Sequence, residues 1–217
     1  MSRLGMVLGV LGIVLVLVGL IGPWWTVGIS ASIGGQTFSS AADFRLFGGT
    51  ATVTGPGISQ TNTTDYSSDP NTRSVFLVGA ALSGLAMAFG VGLAVLTTMA
   101  AARPSYRRLA SMCGIIAFAL ALFGTLYVMG ALPGAVNQDS GADVGVPQIS
   151  GFWGTSSTSI LGFSASVVWA AGWAWYVVLC GALVFLIGGI VAILVPKPTP
   201  AVPLAATPPP PESPPVP

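Results

Sequence analysis

Four stretches of this chain run without a charged side chain in their interior: Leu4 to Trp24, Ser74 to Thr98, Leu109 to Leu132 and Val167 to Val195. A helix rising about 1.5 Å per residue needs roughly 20 predominantly apolar residues to cross a hydrocarbon layer about 30 Å thick. Each stretch meets that length. Only 6% of the 217 residues are charged, against about a quarter in soluble domains, so lipid must be the solvent for much of the chain. The expected fold is a membrane all-α bundle of four transmembrane helices at about residues 4–24, 74–98, 109–132 and 167–195. A signal-peptide reading of the first stretch, prompted by Arg3 before an apolar run, is disfavoured. No A-x-A cleavage site follows closely, and the run is longer than a usual signal core.

Orientation follows from the distribution of basic residues between the loops. A cytoplasmic N-terminus places Arg3, Arg103, Arg107, Arg108 and Lys197 inside and leaves only Arg45 and Arg73 outside. Both termini are therefore expected in the cytoplasm, with loops 26–72 and 133–166 outside the cell membrane. Under this topology Trp24, Trp25, Tyr127, Trp169, Trp173, Trp175 and Tyr176 fall near the outer boundary, where amphipathic rings are favoured. Small residues at helical spacing supply the close approaches that helices need in lipid. They include Gly79 with Ser83, Gly84 with Ala88 and Gly92, Gly5 with Gly9, and Gly181 with Gly188 and Gly189.

The same inventory narrows the function. Histidine is absent, there are two cysteines, and the acidic residues are scattered through loops. General acid–base chemistry needs a positioned titratable group, so no catalytic residue, cofactor or metal site is expected, and no small-molecule substrate is evident. A net charge of +1 without a basic cluster offers nothing to a nucleic acid. Cys113 and Cys180 fall at depths differing by about 15 Å, too far apart for a disulfide.

The first outer loop has strand character. Thr26 to Ile33 alternates, Gly34-Gly35 marks a turn, and Gln36-Thr37-Phe38, Phe44 to Phe47 and Thr50 to Thr54 continue the pattern. A small extracellular antiparallel sheet is expected from this loop. After Gly55-Pro56-Gly57 the loop turns polar and reads as mobile, with an Asn62-Thr63-Thr64 glycosylation pattern. The second loop offers Ile149 to Gly154 as one more strand, with Phe152 and Trp153 as aromatics for the sheet, the membrane surface or a partner. Residues 196–217 are half proline and read as a disordered, solvated cytoplasmic tail.

A short N-terminus, a first helix, Gly22-Pro23-Trp24-Trp25 and a long strand-rich loop form a recognisable order. The chain resembles the claudin superfamily, which includes peripheral myelin protein and calcium-channel gamma subunits. In that superfamily a proline-associated tryptophan follows helix one, a role open to Trp24 or Trp25. A Gly-Leu-Trp motif follows about twenty residues later, where Arg45-Leu46-Phe47 stands here. Arg73 matches an arginine before helix two, and Gly172-Trp173-Ala174-Trp175 is similar to the start of helix four. The departures are the Arg45 and Phe47 replacements and the absence of the family's loop disulfide, with Thr50 at the first cysteine position. The resemblance implies four helices and a sheet of first-loop strands plus one strand from the second loop. It also implies a structural, adhesion or accessory-subunit role, with the chain itself or another membrane protein as partner. The alternative is a channel or transporter component with a pore formed between subunits, lined by Asp43, Arg45, Asp65 and Asp69. No ionisable residue lies inside the helices to build a pathway within one chain.

Overall fold

A computed structural model describes residues 2–100, 102–140, 148–160 and 163–194; the proline-rich segment from 196 onward lies outside them. Four helices, α1 (Ser2–Ile21), α2 (Pro70–Met99), α3 (Tyr106–Asp139) and α4 (Trp173–Leu194), are each long and apolar enough to cross a membrane. Between α1 and α2 lie β1 (Trp25–Ile33), β2 (Gln36–Arg45), β3 (Gly48–Gly55) and β4 (Ile58–Thr64). Between α3 and α4 lie β5 (Gly154–Ile160) and β6 (Phe163–Ala171). All six strands join one antiparallel sheet in the order β4-β3-β2-β1-β6-β5.

Five expectations need correction. The sheet is not small: it has six strands. Residues 58–64 are not a loop but strand β4, paired along its whole length with β3. The second loop supplies its strands after Trp153 rather than at residues 149–153. The apolar run from Val167 begins as strand β6, and the fourth helix starts only at Trp173. The third helix also runs past Leu132, through Pro133, to Asp139.

The four helices form a ring in which α1 packs on α2 and α4, and α3 packs on the same two. Their faces meet through small residues because apolar side chains gain nothing by leaving lipid for one another. The closest seam joins α3 to α4: a Cβ placed on Gly114 would stand 2.7 Å from the Gly189 Cα. Phe185 of α4 fills the space left by Gly12 of α1 and Gly90 of α2, where added Cβ atoms would lie 2.6 and 2.5 Å from its ring. Gly84, by contrast, faces open space. Both cysteines are free thiols.

At the sheet end the α2–α3 pair is closed by a carboxylate. Pro70, at the first turn of α2, has no N–H to satisfy. Asp139, the last residue of α3, accepts hydrogen bonds from the Asn71 and Thr72 backbone N–H groups (3.1 and 2.7 Å) and from Asn71 Nδ2 (2.7 Å). One helix thus caps the exposed amides of the other, with its negative charge at the positive end of the α2 dipole.

The α3–α4 seam yields the first prediction. Gly114→Leu should cost about 1–3 kcal/mol by overpacking, whereas Gly84→Leu should stay within about 0.5 kcal/mol. Thermal unfolding of both variants in the same mild detergent, followed by circular dichroism, checks the difference.

Candidate functional site

The placement of the sheet begins where the helices end. Pro23 has no N–H, so the Gly19 carbonyl at the end of α1 loses its ordinary helical donor. The Trp24 indole N–H takes that place, donating to the Gly19 oxygen at 2.7 Å. The next peptides then bond across to the fourth helix: Gly172 N–H donates to the Trp24 carbonyl (2.9 Å) and Ala174 N–H to the Pro23 carbonyl (3.1 Å). A Cβ at Gly172 would collide with the Pro23 carbonyl, so only glycine fits this joint. From here β1 and β6 pair in register from Trp25–Ala171 to Ile33–Phe163.

A chain of aromatic contacts fastens the sheet base to the helices. Phe76 of α2 stacks on Tyr66 (5.4 Å between centroids), Tyr66 on Phe44 of β2 (6.3 Å), and Phe44 meets Trp25 of β1 (5.2 Å). Trp25 continues to Phe152 (6.4 Å), and Phe152 to Trp175 of α4 (5.8 Å). The segment before β5 is held by backbone acceptors as well. Trp25 Nε1 donates to the Phe152 carbonyl (2.8 Å) and Trp169 Nε1 to the Gly151 carbonyl (2.9 Å). The Asn137 side chain pairs with both the N–H and the carbonyl of Ile149 at 3.0 and 2.9 Å.

Tyr66 is the second fastening point. It sits in the left-handed region at φ +61°, a conformation that costs a bulky residue energy. Its buried hydroxyl accepts from the Arg45 N–H (3.1 Å) and faces the Arg45 and Gly48 carbonyls at 2.8 and 2.9 Å as donor. These bonds tie both ends of the β2–β3 turn, and the stacking of its ring offsets the backbone cost. Burial pushes the phenol well above its ordinary pKa, so it is a neutral donor at any physiological pH.

Strand register divides the sheet into two unlike faces, since alternate side chains point to opposite sides. One face carries Trp25, Val27, Ile29, Phe38, Phe44, Val53, Ile58, Phe163, Val167 and Trp169. Its base is covered by the aromatic chain, but Ile29, Val53, Ile58 and Phe163 farther out are exposed. The other face is mostly hydroxyl-bearing, with Thr26, Ser30, Thr52, Thr61, Ser157 and Ser166 among its members. Thr52 and Thr61 pair their hydroxyls across β3 and β4 at 3.0 Å. Neither edge strand, β4 nor β5, contains a charge or a proline.

The residues singled out from the sequence scatter over this arrangement. Trp24 and Trp25 are fully buried, and Leu46 is buried over Gly79 of α2. Phe47, its neighbour, is 67% exposed at the sheet base. Arg73 is exposed in the first turn of α2, and Asn62 is exposed on edge strand β4. Phe152 is buried in the aromatic chain, while Trp153 is exposed and lies edge-on to Phe152 and Trp175. Trp24, Trp25, Trp169 and Trp175 therefore do not form a hydrated belt. They are buried, and each indole N–H is bonded to a backbone carbonyl, that of Trp175 to Thr125 at 3.1 Å. Sequence reasoning missed Tyr66, Asn137 and Asp139. The signal available was a tyrosine and two side-chain cappers placed at the ends of long elements.

Tyr66→Phe should cost about 1–3 kcal/mol, because it strands buried backbone groups while keeping the ring. The loss should appear in a thermal melt, together with faster amide exchange at Arg45 and Gly48. Compared with family models and with curated proteins, the chain matches none, and the reading of its function rests on this geometry.

Proposed function

We propose that the protein is a non-enzymatic multi-pass protein of the cell membrane, with both termini cytoplasmic and the sheet outside. The sheet serves as a rigid contact surface for a second copy or for another membrane protein, in the manner of the claudin superfamily. The observation that carries this reading is the outer part of one sheet face, where Ile29, Val53, Ile58 and Phe163 of strands β1, β3, β4 and β6 stand exposed, with Ser40 of β2 between Ile29 and Val53. Large apolar side chains exposed together on one face mark an interaction site. Edge strands without charge or proline add unpaired backbone groups open to another strand. The reading also draws on the resemblance to claudins at Trp24, Trp25, Leu46 and Arg73, although the second loop supplies two strands, β5 and β6, where that resemblance implies one. A contact surface of this kind needs neither a titratable centre nor a cofactor.

Thr61→Cys on the exposed edge strand provides the test. In intact cells the thiol should react with a membrane-impermeant maleimide; labelling only after permeabilisation would reverse the orientation. Cross-linking through the sheet in the native membrane, followed by purification and mass spectrometry, should give ladders of the chain or stoichiometric recovery of one other membrane protein. Val53→Glu combined with Ile58→Glu should reduce either product at least about tenfold, since a charge would have to be buried unpaired. An undiminished product, or no product from the unaltered chain, would remove the sheet from this role.

A further inference from the structure

A cavity of about 520 Å³ lies where the end of α1 meets the underside of the sheet. Its floor is Leu17, Leu20 and Ile21 of α1, with Phe47 from the β2–β3 turn beside them. Leu17 and Ile21 are exposed on the same side of α1 as Val7, Val10 and Val14, a stripe without polar interruption. The floor is therefore continuous with helix surface that faces lipid, and an acyl chain can enter without crossing a polar barrier. Ile21 ends α1 and Trp25 begins the sheet, which sets the cavity at the level where hydrocarbon gives way to headgroups.

The roof has different chemistry. Arg45 lines it together with Thr50 and Thr63, hydroxyl-bearing residues of the same sheet face. Tyr66 holds the backbone of Arg45 in place. Among the described residues the Arg45 guanidinium makes no hydrogen bond or ion pair. Asp43 lies on the same sheet face but does not line the cavity. An exposed, always-charged fork beside threonine hydroxyls matches a phosphate. No carboxylate in the lining can accept a quaternary amine. A free anion would leave the apolar floor uncovered, and a neutral amphiphile would leave the guanidinium unpaired.

We infer that this cavity binds one anionic phospholipid of the leaflet on which the sheet stands, its acyl chain along Leu17 and Ile21 and its phosphate on Arg45. The inference goes beyond the contact role proposed above and holds whichever side of the membrane the sheet occupies.

Native mass spectrometry of the full chain in mild detergent, titrated with phosphatidylglycerol or phosphatidylcholine, tests it. The unaltered protein should retain one phosphatidylglycerol at least about tenfold more tightly than phosphatidylcholine, the scale of one charge-assisted pair. Arg45→Gln should remove that preference, and Thr63→Trp, which fills the cavity with its charge intact, should lower retention by a similar factor. Arg73→Gln, the same change at the other arginine near the sheet, should leave retention within about twofold. Matching circular dichroism and melting curves confirm that each variant is folded. Equal retention of the two lipids would overturn the assignment, as would an Arg73→Gln loss as large as that of Arg45→Gln. Full retention by Thr63→Trp would mean that charge acts without the cavity. Displacement of the lipid by millimolar inorganic phosphate would make the site one for a free anion.

Discussion

Where a helix leaves the hydrocarbon layer, its last carbonyls lose their helical donors, and near lipid an unsatisfied backbone group is costly. This constraint governs how the protein is put together. Pro23 removes a donor from the end of α1, the Trp24 indole replaces it, and the following peptides bond directly to Gly172 and Ala174. Backbone pairing passes from helix to strand with no gap. The β1–β6 pair starts at that joint, and the other strands add outward from it.

The sheet inherits a division of labour from this start. Its base is a continuation of the bundle core: Trp25, Phe44 and Trp169 pack with Phe152, Tyr66 and Phe76 rather than with water. Farther out, Ile29, Val53, Ile58 and Phe163 share one side with polar residues such as Ser40 and Gln60, and the other side is mostly hydroxyl-bearing. A single element thus meets two surroundings, the bundle at its base and solvent farther out. Arg45, Leu46 and Phe47 show how sharply these change along one turn. Leu46 is buried over α2, Phe47 is exposed, and Arg45 roofs a cavity open to α1.

How much of this could be read in advance depended on the kind of signal. The helices were legible because length and lack of charge suffice to identify them. Strands β1 to β3 were legible because Gly34 and Gly35, at φ +58° and +82°, make the two-residue turn that their pattern announces. Strand β4 was hidden because Ser59, Gln60, Thr61 and Asn62 look like a solvated loop, and both sides of that strand are exposed. The extent of β6 was hidden for the opposite reason. Val167 to Ala171 is an apolar run that adjoins a membrane helix, and hydropathy alone cannot separate strand from helix there. Gly172 marks the true boundary. The tryptophans misled because residue type signals an interface, whereas only coordinates show an indole N–H spent on a carbonyl. Trp24, Trp25 and Leu46, singled out from the sequence, lie buried at the sheet base. Its dependence on Tyr66 and on Asp139 comes from contacts between residues far apart in the chain.

The glycine joint has a mechanical consequence. Because α1 runs into β1 and β6 into α4 without a flexible link, each helix and its strand behave as one stiff rod, and the two rods are laced together along the sheet. Side chains turn by about 100° per residue in a helix but alternate by half-turns in a strand. Twisting α1 against α4 would therefore strain the ladder at once, and force applied at the sheet tip would be felt deep within the helix bundle.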